Sequence, residues 1–151
     1  MIREYSESDK PAVIKLLQLN SPEYFDASEA VDFTDYLDNI REDYFVVLRK
    51  SKIVGAGGIN YFPDKNTARI SWDMIHPEYQ GKGVGKELIQ YRIDLIKASS
   101  KNIELIVVRT SQMTYKFYRK MGFVLEKIEK DFWAKDFDLY QMIMKIDNLH
   151  F

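Results

Sequence analysis

The residues of this sequence best placed to do chemistry are a cluster of glycines and lysines and one later tyrosine. The stretch Ile75-His76-Pro77-Glu78-Tyr79-Gln80-Gly81-Lys82-Gly83-Val84-Gly85-Lys86 ends an apolar run, crowds glycines into a turn and opens a helix. The first N–H groups of a helix have no partner inside it, and the helix dipole adds positive potential there. Glycines let that backbone approach a ligand closely, and Lys82 and Lys86 supply countercharge, so the segment suits a phosphate or pyrophosphate. Two other phosphate loops do not fit. A Walker loop needs Ser or Thr after Gly-Lys, and Gly85-Lys86 is followed by Glu87. A dinucleotide fingerprint needs G-x-G-x-x-G after a first strand, whereas Gly81-Lys82-Gly83 is followed by Gly85 and comes late. Taken alone, the segment is better explained as a glycine-rich β-to-α turn with incidental lysines. Tyr118, within Phe117-Tyr118-Arg119-Lys120-Met121-Gly122-Phe123, reads by itself as a helix-face aromatic packed on Phe123. Cysteine is absent, which removes disulfides, thiolate metal sites and a thiol nucleophile. The two histidines form no metal constellation, and no Ser–His–acid arrangement is visible.

Elements must position these residues. Ile2 to Tyr5 reads as a short strand, followed by a helix capped at Ser8 with Val13, Leu16 and Leu17 on one face. Asp26 and Glu29 resemble a capping box. They open a second helix with Phe33, Tyr36, Leu37 and Ile40 at i, i+3, i+4, i+7. Tyr44–Leu48, Ile53–Tyr61 and Thr67–Ile75 read as strands, and Gly83 to Ser99 as a helix with a broad apolar side. Ile103–Val108 is a continuous apolar run, the mark of a strand buried on both faces. A short helix from Met113 to Met121 stops at Gly122, and strands near Val124–Phe132 and Leu139–Ile146 close the chain. The order is β, α, α, β, β, β, α, β, α, β, β. That is an α/β (α+β) fold with a mixed, mostly antiparallel central sheet and flanking helices.

The chain is one domain long at 151 residues, with 46% hydrophobic and 30% charged residues. The start is polar and no stretch reaches membrane-spanning length, so a cytoplasmic protein is expected. A net charge of −1 hides an asymmetry: Asn20 to Asp43 holds eight acids against Arg41 alone. These acids are either the solvated face of a helix or a surface that attracts a cation. With a pI near 6.1, no pronounced basic run and no recognition motif, nucleic acid is not an expected partner.

Gln80-Gly81-Lys82-Gly83-Val84-Gly85 resembles the Q/R-x-x-G-x-G/A pyrophosphate loop of the GNAT (GCN5-related N-acetyltransferase) superfamily. Tyr118 followed by Gly122-Phe123 resembles the second signature of that superfamily. The element order matches over essentially the whole chain, residues 1–151 as a single domain. The resemblance implies an N-acetyltransferase moving an acetyl group from acetyl-CoA to a primary amine by direct attack in a ternary complex. It asks for no metal.

Carried over by position, the backbone of Asp73, Met74 and Ile75 pairs with pantetheine, and an amide near Ile75 polarises the thioester carbonyl. Gln80, Gly81, Lys82, Gly83, Val84, Gly85 and Lys86 hold the pyrophosphate. The Tyr118 hydroxyl protonates the departing thiolate. Two departures stand out. Ser111 and Thr114 replace the Asn and Ala that many members carry, and Ser111 either contacts the cofactor or caps the helix. The positions where some relatives carry a basic carboxylate are Arg69 and Ile106, which cannot serve. Asp73, two pleats along from Arg69 on the same strand face, is the best substitute and Glu104 ranks lower; Asp73 pairing with Arg69, or a base acting through water, remain alternatives.

In this family the early helices and last hairpin wall the acceptor site. That places the Glu23–Asp38 acids and Phe132, Trp133, Phe137 and Tyr140 around a small-molecule or peptide amine, with a cationic acceptor held partly by cation–π contact as one expectation. Solvated acids and core aromatics are the other. Family habit adds a homodimer. The rival function is a non-catalytic acyl-CoA-binding regulatory module, supported by the missing base.

Overall fold

The computed structural model describes residues 1–146. Among them, strands β1 (Ile2–Glu4), β2 (Asp43–Arg49), β3 (Lys52–Phe62), β4 (Thr67–Ile75), β5 (Leu105–Thr110), β6 (Val124–Ala134) and β7 (Phe137–Lys145) form one sheet. The spatial order is β1-β2-β3-β4-β5-β7-β6. Every neighbouring pair is antiparallel except β4 with β5. A parallel neighbour requires a crossover, and α3 (Val84–Ala98) provides it. The remaining helices are α1 (Lys10–Leu19), α2 (Glu29–Asp35), which runs on into a wider turn at Tyr36–Ile40, and α4 (Tyr115–Lys120). The element order and mixed sheet are those the hydrophobic patterning implies.

Two apolar layers sandwich the sheet. On one face Leu88, Ile89, Ile93 and Ile96 of α3 pack with Ile70, Ile106, Val108 and Met142 of the strands. Each such buried aliphatic side chain contributes about 1.5–3 kcal/mol relative to exposure. On the other face Val13, Leu16 and Leu17 of α1 and Phe33, Tyr36 and Leu37 beside them pack with Tyr44, Val46 and Ala56. The first turn differs from the sequence expectation. The chain enters α1 through a tight turn at Glu7–Asp9, with Pro11 in the first helical turn. Asp9, not Ser8, organises it: its carboxylate accepts the Ser6 N–H at 2.9 Å and two Arg3 donors at 2.7 and 2.9 Å. The Asp26–Glu29 pair does cap, Glu29 accepting the Asp26 N–H at 2.9 Å.

Two irregularities position everything that follows. The β4–β5 ladder runs only from Thr67↔Leu105 to Ile70↔Val108, although β4 continues to Ile75 and β5 to Thr110. Beyond Ile70 the two strands separate. The second irregularity is a bulge. Gly58 pairs with Ser71 but Ala56 pairs with Met74, so β4 carries one extra residue, and Trp72 sits there at φ 51°. Such a bulge reverses the side-chain alternation beyond it. A non-glycine residue at positive φ costs on the order of 1–3 kcal/mol. The Trp72 indole offsets this in an aromatic cluster, with ring centroids 5.0 Å from Phe33 and 6.2 Å from both Phe25 and Tyr36. The Tyr44 hydroxyl adds a bond to the Trp72 carbonyl at 3.0 Å.

Candidate functional site

Where β4 and β5 part, a cavity of about 880 Å³ opens between them and reaches both faces of the sheet. At one end lies the glycine turn. Gly81 and Gly83 adopt φ 75° and 84°, which only glycine takes without strain, and the α3 helix starts immediately after. The first bond of that helix closes at the Glu87 N–H, on Gly83 O at 3.0 Å. Among the described residues, the N–H groups from Gly81 to Lys86 have no carbonyl acceptor. Gly81, Gly83, Gly85 and Lys86 line the cavity, as do Met74 and Ile75 on the edge of β4 that has lost its β5 partner. A row of unpaired backbone donors, a helix N-terminus and an open strand edge fit the diphosphate and amide-bearing arm of coenzyme A.

The other loop residues have separate tasks. Val84 is buried in the α3 core. Lys82 lies over the Tyr79 ring, and the His76 ring nitrogen accepts the Glu78 N–H at 3.1 Å, which stabilises the turn. Gln80 turns towards the helices: its amide donates to Asn20 at 3.3 Å and its oxygen accepts from Tyr24 at 3.2 Å. Asn20, buried at the end of α1, donates to Leu16 O at 2.7 Å and to Ile75 O at 3.1 Å. It therefore ties the helix to the end of β4, a role with no signal in the sequence.

Tyr118 and Asp73 meet in the cavity wall. The Tyr118 hydroxyl donates to Asp73 Oδ2 at 2.6 Å. The same carboxylate receives two bonds from Arg92 of α3, at 2.5 and 2.8 Å. Arg92 is fully buried and also donates to Gly58 O at 3.1 Å and Leu88 O at 3.2 Å. Burial alone would weaken this cation, but the Asp73 charge outweighs it and holds the Arg92 pKa above its ordinary value. Burial, reinforced by Asp73, pushes the Tyr118 pKa well above the ordinary phenol value, so its proton is held at neutral pH. Space for the ion pair depends on Gly57, where a Cβ would stand 2.5 Å from Asp73 Oδ1 and 2.8 Å from Arg92 Nη1.

This arrangement corrects one sequence expectation. Asp73 does not share a face with Arg69 and does not pair with it, because the bulge at Trp72 turns Asp73 towards α3. Arg92 was missed because it interrupts an otherwise apolar helix side, where an arginine gives no periodic signal. Glu104 is exposed at the far end of β5 and does not line the cavity. Ser111 is buried at the cavity wall, and its hydroxyl accepts the Met113 N–H at 3.3 Å in the turn that starts α4.

The opposite end of the cavity is lined by Glu29, Asp32 and Asp35 of α2, by Arg69 and Arg109 of the strands, and by Trp133 and Phe137 of the last hairpin. Burial lifts the Glu29 carboxyl to about 7; the nearby Asp26 and Asp32 charges add to this, and the Asp26 N–H opposes it. The acidic segment is therefore split in its tasks. Asp38 pairs with Lys10 at 2.8 Å and Asp43 accepts from the Tyr61 hydroxyl at 3.1 Å, while the α2 acids border the cavity. The expected aromatics are split too. Arg109 covers Phe132 and Trp133, with centroid distances of 4.9 and 5.7 Å, and Tyr140 packs on Tyr115 at 4.7 Å. Among the described residues there is no group of three or more His, Cys, Asp or Glu placed to hold a metal ion; His150 lies outside them. No helix among them is long and apolar enough to cross a membrane.

Comparison with known proteins agrees with this geometry. The sequence model of the Acetyltransferase (GNAT) family matches residues 11–123. A segment of 56 residues is 43% identical to an uncharacterized ycf52-like N-acetyltransferase of Prochlorococcus marinus, spanning 36% of this chain and 30% of that protein. The fold superposes on the ribosomal-protein-S18-alanine N-acetyltransferase of Escherichia coli with a TM-score of 0.78, at 19% identity and 100% and 99% coverage of the two chains. It likewise matches an aminoglycoside 6′-N-acetyltransferase complexed with coenzyme A, with a TM-score of 0.75, 16% identity and 96% coverage of both chains. With the family model covering most of its length, the chain belongs to the GNAT family of acetyltransferases.

Proposed function

We propose that this protein transfers the acetyl group of acetyl-CoA to a primary amine by direct attack within a ternary complex. The observation that carries the reading is the split of β4 from β5 at Ile70↔Val108, with unpaired loop donors at one end and the Tyr118 hydroxyl in the wall. Acetyl-CoA supplies an activated thioester. The N–H groups of Gly81 to Lys86 bind its diphosphate, with Lys86 adding charge and Gln80 bracing the loop against Asn20. The open edge of β4 at Met74 and Ile75 orients the arm and polarises the carbonyl. Ser111 shapes the wall by holding the turn before α4.

Tyr118 is the proton donor to the departing thiolate, turning its hydroxyl from Asp73 to the sulfur. Asp73 positions that phenol and keeps it protonated, while Arg92 compensates the carboxylate when the Tyr118 bond is given up. Asp73 has its oxygens engaged by three donors, two from Arg92 and one from Tyr118. Glu29 lines the cavity and, lifted by burial to about 7, titrates where a proton-accepting base is most effective; it receives the proton of the incoming ammonium. The acceptor enters beside α2, over its acids, as a small molecule or the end of a peptide.

Calorimetric titration with acetyl-CoA tests the first step. Micromolar binding that disappears in a Gly83→Asp/Gly85→Asp variant, with the circular dichroism spectrum retained, supports the site. Absence of binding by the wild type at high concentration removes the reading. Release of free thiol with a broad amine panel tests the second step, and binding without any turnover would instead indicate a non-catalytic acyl-CoA-binding module.

A further inference from the structure

Among the described residues, the acceptor end of the cavity carries two cations with no counterion. Arg69 on β4 is opposite Val107 on β5, and Arg109 lies two residues beyond Val107, so the two arginines are diagonal neighbours on one face. Each guanidinium rests on an aromatic ring: Arg69 on Phe62 at 4.7 Å, Arg109 on Phe132 at 4.9 Å and on Trp133 at 5.7 Å. Both line the cavity. Among the described residues, ion pairs join Arg3 to Asp9, Lys10 to Asp38, Arg49 to Glu87 and Arg92 to Asp73, and none involves these two. The Nε–H of each is buried and has no acceptor among the described residues. Burial, together with the charge of Arg109, lowers the Arg69 pKa, the signature of like charges held together.

A buried donor without an acceptor and a charge without a partner are both costly. In this fold they sit on a cavity wall, where a ligand removes both costs. Nε and a terminal nitrogen of one guanidinium form a planar fork that matches two oxygens of a carboxylate or phosphate. Across the same cavity stand Glu29, Asp32 and Asp35. The chamber therefore has an acidic wall and a basic wall.

We infer that Arg69 and Arg109 form an oxyanion subsite, and that the acceptor carries a carboxylate or phosphate in addition to its amine. The inference rests on the acetyltransferase reading for the amine and on the two arginines alone for the anion. It also explains why Phe132 and Trp133 are not free to hold a cationic acceptor: Arg109 already covers them.

Matched pairs differing only in the anion test it: phenylalanine against phenethylamine, and phosphoethanolamine against ethanolamine, the two pairs separating carboxylate from phosphate. The anion-bearing member of one pair is expected to show about 10- to 100-fold higher kcat/KM. Arg69→Gln and Arg109→Gln should erase that advantage through KM, with acetyl-CoA affinity unchanged. Arg69→Lys and Arg109→Lys, which keep the charge without the fork, should lose part of it. Equal or faster turnover of both partners lacking the anion by the wild type would overturn the inference. A binding measurement decides the matter even if no amine is turned over. The fluorescence of Trp133, which contacts Arg109, is followed during titration with 3-phenylpropionate, glutarate and inorganic phosphate. Saturable binding that weakens about tenfold or more in the glutamine variants, whose fold is checked by circular dichroism, supports the subsite. No binding of any of the three anions overturns it, whether or not acetyl-CoA binds.

Discussion

The proposed chemistry rests on the Arg92–Asp73–Tyr118 chain, and each of the three side chains can be interrogated separately. Removing the hydroxyl in Tyr118→Phe deletes the proton donor but leaves the ring in its packing against Phe117 and Phe123. Because a thiolate is a fairly good leaving group, kcat should fall about 10- to 100-fold, near the lower end of general-acid effects, with acetyl-CoA affinity by calorimetry unchanged. Arg92→Met strands the Asp73 carboxylate and should cost about 3–5 kcal/mol in chemical denaturation. The double variant Arg92→Met/Asp73→Asn should recover a large part of that loss, because the stranded charge is gone. If the two single losses simply add, the ion pair is not coupled. Glu29 makes a pH prediction. Its carboxyl is raised from 4.5 to about 7, so the folded state holds the proton more tightly than the unfolded chain. Stability is therefore present below pH 4.5 and is lost as pH rises through about 7. Glu29→Gln keeps an acceptor for the Asp26 N–H and removes that dependence. The stability difference between wild type and variant, measured by urea denaturation, should grow across this window and be level above it. In the kinetic assay the same variant should lose the limb of the kcat/KM profile near pH 7.

At the level of elements, the bulge in β4 is the device that makes the site. Without the extra residue, period-two alternation would put Asp73 beside Arg69, on the α1–α2 face and away from Arg92 and Tyr118. The bulge is held by the aromatic cluster of Phe25, Phe33 and Tyr36, with Tyr44 of β2 bonded to its carbonyl, rather than by β4 itself. Trp72→Ala should consequently cost about 3 kcal/mol or more in stability and also lower kcat, since Asp73 is no longer fixed under Tyr118. A Trp72→Phe variant that retains packing should keep most of both. The α3 helix contributes at its start and in its interior. Its first turn leaves N–H groups open at the glycine turn, and its interior sends Arg92 through the sheet face to Asp73. Gly57→Ala places a methyl group against that ion pair and should destabilise the protein by about 1–3 kcal/mol, as overpacking does.

For the molecule as a whole, the parted strands give one cavity with two chemically different ends. The α3 and α4 face supplies glycines, unpaired N–H groups and the phenol; the α1 and α2 face supplies acids, with arginines on the strands opposite. In the proposed reaction this division would let a diphosphate donor and an amine acceptor enter from different sides and meet in the gap between β4 and β5. It also separates the consequences of mutation. Changes in the glycine turn should appear in acetyl-CoA affinity, changes at Arg69 or Arg109 in acceptor KM, and changes at Tyr118 in kcat.

Local features carry the parts of this protein that its sequence determines alone. Hydrophobic periodicity marks the order of strands and helices because burial acts over neighbouring turns and pleats, and β4 begins and ends where the pattern places it. The glycine turn is legible because left-handed backbone at Gly81 and Gly83 leaves few alternatives in residue type. What escaped depends on contacts between distant segments. An extra residue in β4 is invisible as a period, since Ser71-Trp72-Asp73-Met74 reads as ordinary strand until β3 fixes the pairing. Arg92 interrupts an apolar helix side, and only the approach of Asp73, 19 residues earlier, turns it from an anomaly into an ion pair. The unpaired arginines emerge in the same way, because a missing counterion can be recognised only after every neighbour has been placed.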